Sequence, residues 1–262
     1  MSNSAYTQLD SPMPGVKRIT LVRPDTLNAL SAAMMTELQS RLAEVGSDEQ
    51  CRVLVLAAQG KAFSAGHDLR EMRAQPDAGF YQTLFAQCSR LMLALQQLPQ
   101  PVIAQVQGIA TAAGCQLVSM CDLAVASENS RFAVSGIHYG LFCATPGVGL
   151  SRNVSRKKAM EMLLTGDFID AHEAERQGLI NRVVPEAELT EAVAQLCGRI
   201  VAKPPVAVRM GKALFYQQLE LGIAAAYQLA GQTMACNMMD AAAQEGFQAF
   251  IEKRAPQWEA PE

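Results

Sequence analysis

The 262-residue sequence predicts an α/β core followed by a segment built of helices alone. Three observations carry this expectation. Continuous apolar runs at residues 53–56 and 102–106 have the length and composition of strands buried on both faces. Between the runs lie stretches whose apolar residues recur at helical spacing. From Glu188 onward the strand signals stop and the helical ones continue.

Taken in order, residues 16–22 read as a first strand, closed by Arg23-Pro24-Asp25. Ser31 can cap a helix carrying Met34, Met35, Leu38, Leu42 and Val45 on one side. After the strand at 53–56, residues 59–69 read as a loop containing Gly60 and Gly66. In residues 80–98, Phe80, Leu84, Phe85, Cys88, Leu91, Met92, Leu95 and Leu98 mark one helical face, ended by Pro99 and Pro101. The strand at 102–106 precedes Gly108. Residues 111–120 are small and apolar on nearly every side, which suggests a buried helix.

Short strands follow at 123–126 and 131–134. Residues 135–151 hold four glycines and one proline and read as a loop or broken turn. Residues 160–164 are helical. Asp170 resembles an N-cap, with Glu173 at the capping-box position and Gly178 as a stop. A further strand spans 180–184. Leu189, Val193, Leu196 and Ile200 then share a helical face, a second helical run follows Pro205, and a third covers about 238–253. Pro204-Pro205 marks a hinge. The expected division is a core at residues 1–195 and a helical region at 196–262.

Composition narrows the function classes. A chain 50% hydrophobic and 18% charged is not disordered. A net charge of −3 without basic blocks gives no footprint for nucleic acid. No apolar stretch approaches the ~20 residues of a membrane span, and residues 1–10 lack the apolar core of a signal peptide. The seven cysteines are odd in number and contain no C-x-x-C pair, so neither a disulfide framework nor a zinc site is expected. Buried thiols in a reducing cytoplasm, with no metal, fit better.

Two loops of small residues each follow a buried strand: Lys61 through Leu69, and Gln107 through Gln116. Small residues let a ligand approach the backbone, and N–H groups at a helix start favour negative charge. Two such loops side by side can offer convergent donors to a developing oxyanion. Small residues at a helix start serve close packing equally well. Neither loop has the nucleotide-cradling G-x-x-x-x-G-K-[ST], and no G-x-G-x-x-G is present for a nicotinamide cofactor.

Phe63-Ser64-Ala65-Gly66-His67-Asp68-Leu69, the run from Gly108 to Cys121-Asp122, and the run from Gly140 to Thr165-Gly166 resemble the signature segments of the crotonase (enoyl-CoA hydratase/isomerase) family. Pro24-Asp25-Thr26-Leu27-Asn28-Ala29-Leu30 and the ending from Phe250 to Pro256 match as well, so the likeness covers the chain in order. A narrower subgroup shares the Ser-Ala-Gly-His-Asp-Leu loop, the Ala-Thr-Ala-Ala-Gly-Cys-Gln-Leu run and Gly140-Leu141-Phe142-Cys143. The resemblance implies a crotonase-type spiral of ββα turns with a helical C-terminal trimerisation segment, assembled as a homotrimer or a dimer of trimers. It also implies an acyl-CoA thioester as ligand, with coenzyme A entering as part of the substrate and no tightly bound cofactor. By motif position the thioester carbonyl would accept from the backbone N–H groups of His67 and Ala113. Adenine contacts would fall around Ala65, and Gly66, Asp68, Leu69, Arg70, His138 and Phe142 would border the ligand.

The family's two hydratase glutamates would align with Gln116 and Gly136, so both carboxylates are replaced. An amide cannot exchange a proton near neutral pH, and glycine has no side chain. Positioned acid–base groups contribute roughly 10²–10⁴-fold each, so hydration is not expected to follow from the family. Substitutes are few: the His67 ring (which can instead bond Asp68 or nearby backbone), His138, or a water held by Gln116. Asp68 reads as a helix cap, Glu71 as a solvated helix residue, Asp122 as structural, Cys115 and Cys143 as inert thiols, and His172 as a surface residue. Phe63, Leu84, Leu141 and Phe142 are candidates to line the acyl chain. Arg23, Arg70 and Lys253 are candidates for the coenzyme A phosphates. Stripes led by Leu214 and Phe247 would be buried on assembly. Three readings stay open: an acyl-CoA enzyme working through an enolate, a catalytically silent acyl-CoA-binding or interaction protein, and a non-catalytic subunit of a hetero-oligomer.

Overall fold

Three successive turns of the chain each lay one strand into each of two sheets. The computed structural model describes residues 6–258; the outermost residues of the polar N-terminal stretch and of the 196–262 region lie outside the described residues. In each turn the first strand, β3 (Val53–Ala58), β5 (Val102–Val106) or β7 (Leu123–Ser127), joins a six-stranded sheet. The second, β4 (Ala62–Ser64), β6 (Ile109–Thr111) or β8 (Arg131–Ala133), joins a four-stranded one. Helices then return the chain: α2 (Leu69–Ala74) and α3 (Ala78–Gln97), α4 (Ala113–Met120), and α5 (Ala144–Asn153) with α6 (Arg156–Thr165). This is the ββα spiral that the family resemblance implies.

The large sheet is completed by β1 (Thr7–Met13), β2 (Val16–Leu21) and β10 (Arg182–Val184), and all of its pairings are parallel except β1 with β2. The small sheet is closed by β9 (Ile169–Asp170), antiparallel to β8. The continuous apolar run of β3 is explained by burial on both faces. Leu54 and Leu56 enter the main core, while Val53, Val55 and Ala57 enter a second core against α8 (Leu189–Val201). Leu189, Val193 and Cys197 close that second core, with Leu196 and Ile200 packed at its edge. Since α8 runs through residue 195, the expected division between core and C-terminal region passes inside a helix that covers the sheet.

Local signals hold where they were strongest. Ser31 Oγ accepts from Met34 N, and the five apolar residues expected on one side of α1 (Ala32–Gly46) are the buried ones. Asp170 caps α7 (Ala171–Gln177) through Glu173 N, and Gly178 ends it at φ 85°. All eight residues of α4 are buried.

Other expectations need correction. The stretch at 135–151 is not a loop: it folds as a 3-10 turn at Ser135–Tyr139 followed by α5. Gly149 serves packing, since a Cβ there would stand 2.4 Å from Ser119 Oγ on α4, whereas Gly140 ends the 3-10 turn at φ +80°. The loop at 59–69 contains β4, and β6 precedes the buried helix, whose start moves to Ala113. Three-residue strands of this kind lack a period long enough to read. β1 was hidden by its polar composition, an edge strand on which Asp10 pairs across to Arg18. Among the described residues three helices follow α8: α9 (Pro205–Leu219), α10 (Ile223–Met238) and α11 (Ala241–Ile251). Residues 220–222 separate the first two, and Asp240 caps the third.

One buried ion pair joins this C-terminal region to the core. Lys212 Nζ on α9 lies 2.7 Å from Asp122 Oδ2, the residue just beyond α4, and the side chains are 6% and 15% exposed. The ammonium also donates to Leu95 O and Gln100 O, both at 2.9 Å. Asp122 accepts from Val102 N and from the Tyr216 hydroxyl as well. Burial pulls the Lys212 ammonium below the ordinary lysine range, against the opposing pull of Asp122. Burial and Asp122 together push the Tyr216 hydroxyl up. Breaking such a pair leaves a buried, uncompensated charge. Lys212→Met is therefore expected to cost about 3–5 kcal/mol in urea denaturation; a loss within the range of ordinary surface substitutions would show that α9 does not depend on this tie.

Candidate functional site

The two small-residue loops meet backbone to backbone. A Cβ on Gly114 would stand 2.1 Å from Ser64 O, and one on Gly66 would stand 2.9 Å from Ala112 Cβ and 3.0 Å from Ala113 N. Gly66 has φ +87°, a conformation that glycine adopts at little cost. The surplus of small residues at 65–66 and 112–114 thus has a definite use, which is to bring one loop against the start of α4.

The first loop is pinned from behind by the 24–30 segment. Buried Asn28 donates through Nδ2 to Gln59 O and Ala62 O, both at 2.9 Å, and accepts from Arg23 N. Ala65 N donates to Leu27 O, and Leu30 N donates to Gly66 O at 2.7 Å. Ser64 Oγ donates to Asn28 O and accepts from Gly66 N. The second loop turns at Ala112, a non-glycine residue at φ 50°, ψ −122°. Such a conformation costs about 1–3 kcal/mol and persists where its surroundings over-determine it. Here Ala112 N donates to Ala133 O at 3.0 Å.

Among the described residues, the backbone N–H groups of His67 and Ala113 have no acceptor. Ala113 is the first residue of α4, so its N–H has no partner within the helix. Both residues line one cavity of about 170 Å³, together with Ala65, Leu69, Met72, Phe85, Gly136, Tyr139, Leu141, Phe142 and Cys143. Its walls are mainly apolar, and the two residues with unpartnered N–H groups line it from adjacent loops. Such a space suits an apolar chain bearing one hydrogen-bond-accepting oxygen.

The His67 ring is held in the protein. Its Nδ1 lies 3.3 Å from Leu30 O, so Nδ1–H donates and Nε2 carries the lone pair. Among the described residues, the buried Nε2 has no partner. The ring meets Phe85 edge-on, with centroids 5.5 Å apart. Burial lowers its pKa, only partly opposed by the bond to Leu30.

The remaining candidates separate. Gly136 lines the cavity, and its N–H donates to Cys143 Sγ at 3.2 Å. Gln116 is buried on α4 with its Oε1 facing the Cys88 thiol at 3.9 Å, and it is not among the lining residues. His138 sits in the 3-10 turn, where its Nε2 is 3.2 Å from Gly166 O, and it too lies outside the lining. Asp68 caps α2 by accepting from Arg70 N and Glu71 N. Arg70 and Lys253 are exposed. Arg23 pairs with Asp25 and lies over the Tyr6 ring. His172 is exposed.

Phe63 and Leu84, expected along an acyl chain, are instead fully enclosed in the main core, and Phe85 and Met72 take that place at the cavity. Neighbours on a helix point about 100° apart, so Leu84 enters the core while Phe85 faces the cavity. The unusually broad apolar arc of α3 was the available signal that the helix serves two surfaces. Glu71 is not a solvated helix residue: it accepts from Ala32 N at 3.0 Å, at the start of α1, where the helix has unpaired donors. Cys115 is sealed in the core and burial pushes its thiol up to about 12, whereas Cys143 faces the cavity.

Comparison with known proteins places this geometry in context. The family described as enoyl-CoA hydratase/isomerase matches residues 13–261. The rat protein named enoyl-CoA hydratase domain-containing protein 3, mitochondrial, is 45% identical over 244 residues, covering 93% of this chain and 81% of its own. The crystal structure of human enoyl Coenzyme A hydratase domain-containing protein 3 is similar at 44% identity and TM-score 0.93, covering 96% of this chain and 99% of that one. A crystal structure of an enoyl-CoA hydratase from Mycobacterium smegmatis is similar at 57% identity and TM-score 0.96, covering 98% and 100%.

Because the folded state holds His67 below its ordinary 6.5, the unfolded chain takes up that proton first. Stability then falls as the pH drops below 6.5 and on through the folded-state pKa. Nitrogen-edited NMR is expected to find His67 protonated at Nδ1 and less charged at pH 6.5 than a free imidazole. In His67→Gln, part of the stability loss below pH 6.5 should disappear in denaturation curves.

Proposed function

The chain belongs to the enoyl-CoA hydratase/isomerase family, and we propose that it is an enzyme of the hydratase/isomerase kind that stabilises the enolate of an acyl-CoA thioester between the His67 and Ala113 N–H groups. The observation that carries this reading is that His67 and Ala113, whose N–H groups have no acceptor among the described residues, line one apolar cavity. An enolate places negative charge on the thioester oxygen, and preorganised N–H groups bind that charge more strongly than the neutral carbonyl. Loss of one such donor costs about 10²–10³ in rate. The donors are backbone groups, so they survive changes of side chain.

Hydration is a poor match. Neither Gln116 nor Gly136 carries a carboxylate, and a side chain added at 136 would meet Leu141 O at 2.6 Å. A reaction that forms its enolate without a base, such as decarboxylation of an acyl-CoA, fits the donor pair better. Isomerase or lyase chemistry with another proton carrier is equally compatible. In this reading Leu69 and Phe142 border the acyl group, and the adenosine end passes Ala65, with Arg23, Arg70 and Lys253 as the cations to be tested against its phosphates. Asp68 and Gly66 shape the loop. A reducing compartment such as the cytoplasm suits the six buried free thiols, and no described helix is long and apolar enough to cross a membrane.

A second reading, a catalytically silent acyl-CoA-binding protein, is favoured by one observation: the amide at position 116 faces a buried thiol. Calorimetry with a short acyl-CoA separates the two. Binding tighter than that of free coenzyme A is expected, with turnover of at least one member of an acyl-CoA panel. Binding without turnover selects the second reading, and absence of binding sinks both.

The helical region at 196–262 is proposed to assemble the chain as a homotrimer or a dimer of trimers. Phe215, Ile223, Tyr227, Phe247 and Phe250 on α9–α11, and Met239 just after α10, are all more than half exposed in the single chain. So many large apolar side chains left exposed in one helical region suit an association site. Light scattering is expected to give a mass that is a multiple of three chains, and Phe250→Glu should dissociate it; a wild-type monomer would contradict the proposal.

A further inference from the structure

We infer that Cys143 is the proton carrier of this site, delivering the proton of its thiol to C2 of the enolate; the inference rests on the acyl-CoA reading above. Three titratable side chains line the cavity: His67, Tyr139 and Cys143. His67 uses Nδ1–H on Leu30 O, and its Nε2 is enclosed in protein. Tyr139 is 74% exposed at the mouth. Cys143 is 6% exposed, and its Sγ is fixed by accepting the Gly136 N–H. Among the described residues its own S–H has no acceptor, whereas the thiols of Cys51 and Cys88 donate to Val53 O and Gln116 Oε1.

Position decides the role. Cys143 Sγ stands 2.8 Å from where a Cβ on residue 136 would be. The sulfur therefore occupies the start of the path that a side chain at 136 would follow. The thiol is a buried protic group in a space where position 136 supplies none. Burial keeps it protonated, raised above the usual thiol range. A protonated thiol is a donor rather than a resting nucleophile. The thiolate it leaves is stabilised by the Gly136 N–H and by the start of the ten-residue helix α5, which Cys143 immediately precedes.

The step balances within the site. The S–H bond breaks and its electron pair stays on sulfur. The enolate pair forms a C2–H bond, the thioester carbonyl is restored, and water at the cavity mouth returns a proton to the thiolate. Run in reverse, water at the cavity mouth first takes the thiol proton, and the thiolate so formed removes a C2 proton from a saturated acyl-CoA, so the same residue governs C2 exchange with solvent.

Butanoyl-CoA in D2O supplies the test, with NMR following loss of the C2 protons. The protein carries Cys236→Ser, which removes the exposed thiol. Exchange is expected in this background, with a loss of about 10²-fold or more in Cys143→Ala and in the near-isosteric Cys143→Ser. Affinity for butanoyl-CoA by calorimetry should change only a few-fold in both. Methyl methanethiosulfonate should block exchange by modifying Cys143, located by mass spectrometry. Butanoyl-CoA should protect against the reagent, and dithiothreitol should restore exchange. Exchange undiminished in both variants, or absent from a wild-type protein that binds butanoyl-CoA, overturns the role of Cys143. Failure of butanoyl-CoA to bind overturns the reading of the site on which that role depends.

Discussion

Everything at the site depends on one steric constraint, the contact of Gly114 with the Ser64 carbonyl. No side chain fits in that gap, where a Cβ would stand 2.1 Å from the oxygen. The contact forces the first turn of α4 against the end of β4, and this sets the cavity's two free N–H groups on neighbouring loops. The strain at Ala112 belongs to the same arrangement. A non-glycine at φ 50° is tolerated because the bond from Ala112 N to Ala133 O and the packing around α4 leave it no alternative.

The rest of the molecule braces this contact. Asn28 and Leu30 hold the first loop from behind, and the ring of His67 adds a bond to the same segment. Just past the far end of α4, Asp122 is tied through Lys212 to α9. Helix α4 is therefore fastened at its start by close backbone packing and near its end by a buried ion pair.

The interior of the cavity is chemically spare. It is lined by the His67 and Ala113 backbones, an imidazole bonded to the Leu30 carbonyl, the Tyr139 phenol and the Cys143 thiol. Among the described residues no carboxylate lines it, so charge arising there would meet dipoles rather than anions. In a dry site preorganised dipoles are effective because they need no rearrangement when charge develops.

The sequence by itself determined what short-range rules govern. Buried strands at 53–56 and 102–106, the caps at Ser31, Asp68 and Asp170, and the core face of α1 all follow from periodicity and capping within a few residues. So did the use of small residues at 65–66 and 112–114, and the lack of a carboxylate side chain at 116 and 136. What only the tertiary structure decided is which distant group each of these residues meets. The turn of Gln116 toward Cys88, the use of Phe85 in place of Leu84, the bond from Ala32 to Glu71, and the placement of Cys143 beside Gly136 join residues whose partners no local pattern names. Strands β4 and β6 belong with them, because three residues become a strand only when a neighbour supplies the other half of the ladder. A hydrophobic period records which face is buried; it carries no information about the atom that faces it.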